Sequence, residues 1–391
     1  MEGDFIKIND WLLPLSWIYG AGVRLRNQMF EMGMLKSRSF DIPVISVGNI
    51  TVGGSGKTPH VEYLINLLRD KVKVAVLSRG YKRKSKGYML ATADTPMSDI
   101  GDEPYQMKKK FADIYVAVDK DRCHGIDQLT TNEETSDTDV ILLDDAYQHR
   151  YVKPGVNILL VDYHRLIMYD KLLPAGRLRE PQKGKARADI VIVSKCPADL
   201  KPMEFRVITK AMNLFPYQKL YFTTLKYGSL RPIYGGEDRK LDTLTGDTSI
   251  LLLTGIASPQ QMIVDLKPYT ERITPLTFPD HHQYTDADID RINAEFEAMK
   301  GNEKMIVTTE KDNARLCGME GLSDEVKKNI YVLPVEVGFM LDQEEDFNEN
   351  IIGYVRKNSR NSILAKAKDD NKSDNSDNSG NRTRTISFRN N

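Results

Sequence analysis

The sequence predicts an α/β protein, a largely parallel sheet flanked by helices, with a second, smaller α/β domain after it. Three observations carry that prediction. Six short runs rich in Val, Ile and Leu follow one another through the first half of the chain. They are continuous rather than alternating, as strands buried on both faces are. Helical patterns lie between several of them, the alternation that crossover helices on a parallel sheet require.

In chain order, the N-terminus comes first. Glu2, Asp4 and Asp10 precede any apolar run, whereas a secretory leader starts basic. Trp11 to Val23 carries no charge, but it is 13 residues long and holds Pro14, Gly20 and Gly22. A spanning helix needs about 20 apolar residues. Both tryptophans of the chain, Trp11 and Trp17, fall here beside Tyr19, and Arg24, Arg26, Lys36 and Arg38 follow. Trp11, Leu15, Ile18, Gly22, Leu25 and Met29 recur at helical spacing. Such a helix suits a membrane interface; the blander reading is a helix packed on the protein's own core, the commoner fate.

The expected strands are Pro43–Val47, Lys73–Leu77, Ile114–Val118, Val140–Leu143, Val156–Val161 and Ile190–Ser194. Between the first two, Lys57–Asp70 puts Val61, Leu64, Ile65 and Leu68 on one helical stripe. A second set, Leu220–Leu225, Ile250–Thr254, Met305–Thr308 and Ile330–Val335, surrounds a polar helix over Asp286–Met299. The smaller domain is therefore expected over 226–356. From 357 to 391 the chain turns polar; residues 369–383 read DDNKSDNSDNSGNRT. Such a tail buries too little to offset its chain entropy, and disorder is expected there.

Composition narrows the class. The chain has 391 residues, 55 Lys and Arg against 55 Asp and Glu, 40% hydrophobic and 28% charged residues. That excludes a disordered chain, a collagen and a polytopic membrane protein. Zero net charge gives no general pull toward nucleic acid, and none is expected as a partner. Cys123, Cys196 and Cys317 lie far apart, so a reducing compartment is expected, without disulfides or structural zinc. The run Asp121-Arg-Cys-His124 shows no metal spacing, and His149 and His164 read as structural.

The strongest chemical signal is the segment from Ile45 to Pro59, ISVGNITVGGSGKTP. A β-type run enters, a glycine-rich loop turns, and an amphipathic helix leaves, the context of a nucleotide-binding P-loop. Across Thr51, Val52, Gly53, Gly54, Ser55 and Gly56, backbone N–H groups can wrap a polyphosphate without Cβ clashes. Lys57 would reach the β- and γ-phosphates, the Thr58 hydroxyl would ligate Mg2+, and the helix N-terminus adds its dipole. Pro59 fits a first helical turn. Thr51 stands where the general pattern has glycine. Downstream, Val140 to Asp145 reads VILLDD, an apolar strand ending in carboxylates where P-loop folds hold their Mg2+. The expected architecture thus becomes P-loop NTPase-like, with residues 39–225 as the nucleotide-binding domain behind an N-terminal region of 1–38.

These residues resemble the tetraacyldisaccharide 4'-kinase (lipid A 4'-kinase) family. The matching pieces are Gly48–Pro59, Leu77–Tyr81 (LSRGY), Gly101–Pro104 (GDEP), Asp144–Arg150 (DDAYQHR), Leu173–Pro181 (LPAGRLREP), Phe278–His281 with Tyr284-Thr285, and Thr309–Asp312 (TEKD). They run in family order over about residues 10–340. The resemblance explains Thr51, which is normal in that family; Ala146-Tyr147 stands where Gly-Phe is common, and the tail is unmatched.

The resemblance implies ATP and Mg2+ as cofactors and a lipid-linked disaccharide 1-phosphate as substrate. The 4'-hydroxyl would be phosphorylated to give the lipid IVA precursor, at the cytoplasmic face of the bacterial inner membrane. An acylated substrate favours the interfacial reading of the Trp11/Trp17 helix and a peripheral or monotopic protein. Asp102 and His281 resemble the family's catalytic aspartate and its partner histidine; read alone, both are turn residues. Glu103, Asp144 and Asp145 are candidates for Mg2+ or its waters, although Mg2+ usually takes only one or two carboxylates. Arg79, Arg179, Glu180 and Gln148 are candidates for the substrate, because a phosphorylated lipid needs the planar fork of arginine. Arg177 lies in the same loop. Lys82–Lys86 reads either as a lipid-phosphate or membrane-facing patch or as a solvated loop, the second slightly favoured. Competing readings are a P-loop kinase or ATPase with a soluble substrate, and a regulatory nucleotide switch. The first gives no reason for the tryptophan helix, and the second lacks a guanine-specificity segment.

Overall fold

The computed structural model describes residues 8–256, 259–301, 303–316 and 319–359. Cys317 and most of the polar tail lie outside them.

Among the described residues, fourteen strands form two sheets. The strands are β1 Val44–Gly48, β2 Val74–Ser78, β3 Met89–Leu90, β4 Tyr115–Val118, β5 Val140–Asp144, β6 Val156–Asp162, β7 Ile190–Ser194 and β8 Lys219–Tyr227. Then come β9 Arg231–Pro232, β10 Thr248–Thr254, β11 Ile273–Thr277, β12 Glu303–Thr309, β13 Ile330–Leu333 and β14 Val335–Phe339. The helices are α1 Leu13–Glu31, α2 Lys57–Leu68, α3 Met97–Ile100, α4 Asp102–Lys110, α5 Arg122–Thr131 and α6 Pro202–Met212. They continue as α7 Gln260–Leu266, α8 Asp286–Ala298, α9 Glu310–Leu316, α10 Asp324–Asn329 and α11 Glu344–Asn358.

The large sheet has the order β14-β8-β7-β6-β1-β5-β2-β4-β3. Its seven inner strands are parallel, and only the edge strands β3 and β14 run antiparallel. β1 lies mid-sheet between β5 and β6. The chain passes from β1 to β2, returns to lay β5 between them, and then builds outward on the other side. That reversal opens a crevice at the carboxyl ends of β1 and β5. The burial is what an all-parallel core demands: β1, β2, β5 and β7 are buried at every position. The stripe expected on α2 packs on one face, where Val61, Leu64, Ile65 and Leu68 are at most 1% exposed.

The smaller sheet has the order β11-β10-β12-β13-β9. Here the sequence reading needs correcting. The apolar run Ile330–Val335 is not one strand. Pro334 offers no N–H, and the chain breaks there into β13, which joins the small sheet, and β14, which pairs with β8 of the large one. α11 follows and buries Phe347, Ile351 and Val355 in the large sheet's core. The segment from β14 onward therefore packs with the large sheet, not with the smaller unit expected over 226–356. Likewise Lys357 and Asn358, expected in the polar tail, close α11.

α1 is built inside out. Its buried residues are Ser16, Gly20 and Phe30. Gly20 faces Leu172 so closely that a Cβ would stand 2.7 Å from the leucine Cδ1. Ser16 Oγ donates to Leu172 O at 2.9 Å and accepts from Ala175 N at 3.0 Å. Small residues dock the helix, while Trp11, Leu15, Trp17, Ile18 and Leu25 point outward, Trp11 with 93% of its surface exposed. The blander expectation, an apolar face turned to the core, does not hold.

Candidate active site

β1 ends at Gly48, where a Cβ would lie 2.7 Å from the Tyr147 Cβ. The loop to α2 takes positive φ at Gly53 (116°) and Gly56 (78°), and with these it curls into a cradle. The cradle is braced from within and without. Asn49 Nδ2 donates to Ser55 Oγ at 2.8 Å and to Thr51 Oγ1 at 3.2 Å. Val52 N donates to Arg177 O at 2.8 Å, and Arg179 N to Ile50 O at 2.7 Å. Ser194 Oγ and Lys195 Nζ donate to the carbonyls of Ser55 and Gly54. Thr51 and Ser55 are thus buried in the loop's own bracing. Val52, Gly53, Gly54 and Lys57 line a cleft of about 1130 Å³. Gly56 caps α2, and Thr58 stands half-buried in its first turn.

β5 delivers the carboxylates beside the cradle. Asp144 is 1% exposed and accepts from Ser78 Oγ at 3.3 Å. Asp145, at φ 46°, turns out of the strand to meet Lys57 Nζ at 3.6 Å and Arg179 Nη1 at 3.5 Å. The environments drive the two acids apart. Burial, reinforced by the Glu103 and Asp145 charges, pushes Asp144 up. Burial also acts upward on Asp145, but Lys57 and Arg179 outweigh it and hold it down. Asp144 Oδ1 and Asp145 Oδ1 are buried without a hydrogen-bond partner. Asp144 Oδ1, without a hydrogen bond, and Asp145 Oδ1, met only by the Lys57 ammonium at 3.6 Å, are hard oxygen donors of the kind Mg2+ takes, so these residues fit the ion.

Across the cleft, α4 starts with Asp102, and Gly101 before it has φ 91°. Asp102 Oδ2 stands 3.0 Å from His281 Nδ1, joining residues 179 positions apart. His281, at φ 59°, lines the same cleft as Lys57 and packs its ring 5.0 Å from that of Tyr81. Burial would raise the Asp102 carboxyl, but the His281 bond and the Arg315 guanidinium hold it well below the usual carboxylate range. Arg315 bonds Asp102 Oδ2 through Nε at 2.8 Å and Nη2 at 2.6 Å. Glu103 follows Asp102 and meets Lys311 Nζ at 3.3 Å.

The remaining candidates divide. Arg79 and Arg179 line the cleft. Glu180 also lines it but is 3% exposed and fully engaged: it accepts from Arg187 Nη2 at 2.9 Å and from Gln148 Nε2 at 3.2 Å. Gln148 Nε2 also donates to Asn49 O. These two residues brace the cradle from the far side. At 121–124, Asp121 caps α5 and His124 pairs with Asp119 at 2.7 Å. Arg315 has no place in the sequence reading; Ser78 and Lys311 enter it only inside the LSRGY and TEKD runs, and Tyr19 and Arg26 only as part of the N-terminal helix, without a role in the site, yet these four line the cleft. The one available signal was the TEKD run, which lies three positions before Arg315.

A parallel sheet with a glycine cradle at its central strand, paired acids at the next strand and a carboxylate–imidazole pair opposite define a P-loop phosphotransferase. A family model described as tetraacyldisaccharide-1-P 4'-kinase matches residues 8–356. The tetraacyldisaccharide 4'-kinase of Phocaeicola vulgatus is 61% identical over 363 residues, which is 93% of this chain and 99% of the relative. That of Porphyromonas gingivalis is 44% identical, covering 90% of this chain and 99% of the relative. The crystal structure of LpxK from Aquifex aeolicus in complex with ATP superposes with a TM-score of 0.67 at 31% identity, over 89% of this chain and 99% of that one. The chain belongs to the tetraacyldisaccharide-1-P 4'-kinase family.

Proposed function

We propose that this kinase transfers the γ-phosphoryl group of ATP to the 4'-hydroxyl of tetraacyldisaccharide 1-phosphate, forming the lipid IVA precursor of lipid A. The observation that carries the reading is that Lys57 and His281 line one cleft. In that cleft the backbone of residues 51–56 wraps the polyphosphate and Lys57 shields its outer oxygens. The Asp102–His281 pair takes the proton of the alcohol as its oxygen attacks the γ-phosphorus and the bond to ADP breaks. Arg79 and Arg179 offset the anionic oxygens of the transition state and of the sugar phosphate. Mg2+, held among Thr58, Asp144, Asp145 and Glu103 or their waters, supplies charge neutralisation when bound.

The acylated substrate enters from a bilayer, and α1 suits that entry. Its tryptophan-bearing outer face, with Arg24 and Lys36 behind, lies in the plane of an interface. No helix among the described residues is long and apolar enough to cross a membrane. On the acylated substrate and the exposed tryptophan face we further infer a peripheral or monotopic protein at the cytoplasmic face of the inner membrane. Incubation with γ-labelled ATP and tetraacyldisaccharide 1-phosphate tests the reading. Label should appear on the distal sugar at its 4' position; label released only as inorganic phosphate would refute it.

A further inference from the structure

We propose that Arg315, carried by the small sheet's helix α9, is a positioning residue of this reaction: it clamps Asp102, and through it His281, in the geometry that receives the alcohol proton. The inference rests on the Asp102–His281 assignment above and extends it to a residue from the other sheet.

Arg315 has a side chain only 1% exposed. Its guanidinium is divided between two tasks. Nη1 bonds inside its own unit, to Gly255 O at 2.9 Å and Asp312 Oδ1 at 3.0 Å. Nε and Nη2 both reach across to Asp102 Oδ2, 213 positions away, at 2.8 and 2.6 Å. Nη2 also stands 3.5 Å from His281 Nδ1. The two contacts from Arg315 and the one from His281 converge on Oδ2, and Oδ1 takes none of them. A carboxylate fixed by three contacts on one oxygen has its plane set, and the imidazole bonded to that oxygen is set with it.

The clamp is itself held. Asp312 is 0% exposed, and its Oδ2 accepts from Gly255 N at 2.9 Å and Thr309 Oγ1 at 2.7 Å. Tyr284 OH donates to the other oxygen at 3.4 Å. A Cβ at residue 255 would stand 2.8 Å from Asp312 Oδ1 and 3.3 Å from Arg315 Nη1, so the glycine leaves the space this pair fills. A buried arginine needs a counter-charge, and Asp312 provides one within α9. Structural need is thereby met, and the fork toward Asp102 serves the site. Such overdetermined support is what holds a reacting pair to the fraction of an ångström that proton transfer requires.

A double-mutant cycle on the full chain tests this, with turnover of ATP and the tetraacylated disaccharide measured for wild type, R315Q, D102N and D102N/R315Q. R315Q is expected to lower kcat by about 10²-fold, the usual cost of roughly 1 Å of misplacement, with KM for ATP within about threefold. Because Arg315 acts through Asp102, the double variant should fall within about threefold of D102N alone. Losses that multiply, or R315Q turning over within about threefold of wild type, would overturn the inference. R315K keeps a charge but not the fork, and the same cycle with it carries the test if R315Q does not fold; it should lose about tenfold in kcat with KM for ATP within about threefold, and wild-type turnover by R315K would overturn the inference equally. D102N turning over like wild type would instead overturn the assignment of Asp102 itself, and the clamp with it.

Discussion

At the scale of the residue, the site works by setting charges against one another in a confined space. Lys57 Nζ stands 3.6 Å from Asp145, with its side chain 12% exposed; in this state it is held by the acid beside the cradle. Removing it takes away the cation aimed at the transferred group while Arg179 still neutralises Asp145. Lys57→Ala should therefore fold, and its kcat should fall by about 10³-fold or more, measured as label transfer; near-normal turnover would remove Lys57 from the phosphates. His149 makes a prediction about pH. Burial, aided by the Arg122, Arg26 and Arg79 charges and opposed by Asp121, brings its imidazole down to about 4, and its Nε2 is buried without a partner. Between pH 6.5 and 4 the unfolded chain then binds a proton at this residue that the folded chain does not. Stability must drop as pH falls through that window. Urea unfolding across it should show a shallower drop for His149→Gln than for wild type; identical slopes would mean the folded imidazole titrates normally. How legible were such residues? Lys57 and the Asp144–Asp145 pair announce themselves through local context, a glycine turn and an apolar strand. Asp102 and His281 needed the resemblance. Arg315 had only the nearby TEKD run to point to it, because its meaning lies in a contact spanning 213 positions.

At the scale of the element, the clearest case is α1. Periodicity located the helix, but which face it buries was decided by small residues, Ser16 and Gly20, against the 172–175 loop. The apolar stripe was legible; its outward direction was not, since a stripe looks the same whether protein or lipid covers it. Sedimentation with vesicles containing anionic lipid should be weakened by the pair Trp11→Ser and Trp17→Ser, with the melting temperature unchanged, because both rings are mostly exposed. Unchanged sedimentation would remove α1 from the interface. Gly20→Leu should act differently, forcing a side chain into Leu172 and loosening the helix from the cleft wall that its Tyr19 and Arg26 help to form. The same contrast separates the strands. The parallel runs were legible because burial on both faces writes itself as unbroken Val, Ile and Leu. β11 was missed because Pro275 interrupts its run, a residue tolerated at its edge position.

At the scale of the whole molecule, the chain leaves the large sheet after β8, builds the small sheet, and returns to finish the first. The return is costly to lose. β14 pairs along β8 from Val335 opposite Tyr227 to Phe339 opposite Thr223. Phe347, Ile351 and Val355 are at most 2% exposed in the core beside α2. The Tyr354 hydroxyl accepts from Val44 N at 3.2 Å, tying α11 to the strand that precedes the cradle. Burial of three such side chains contributes about 5–9 kcal/mol at roughly 1.5–3 kcal/mol each, which is comparable to the whole stability of a domain. A chain ending at residue 334 keeps Lys57, Asp102, Asp144, His281 and Arg315, yet it should not fold. It would expose the open edge of β8 and the face of α2, the helix that follows the cradle, on which Phe339 and Phe347 pack through Tyr63. A chain ending at residue 359 retains every one of these contacts and is the reference. Soluble yield and cooperative urea unfolding should be lost in the first and kept in the second. A folded, ATP-binding chain ending at 334 would show that the large sheet is complete without its last strand and helix, and that the cradle does not depend on the chain's return.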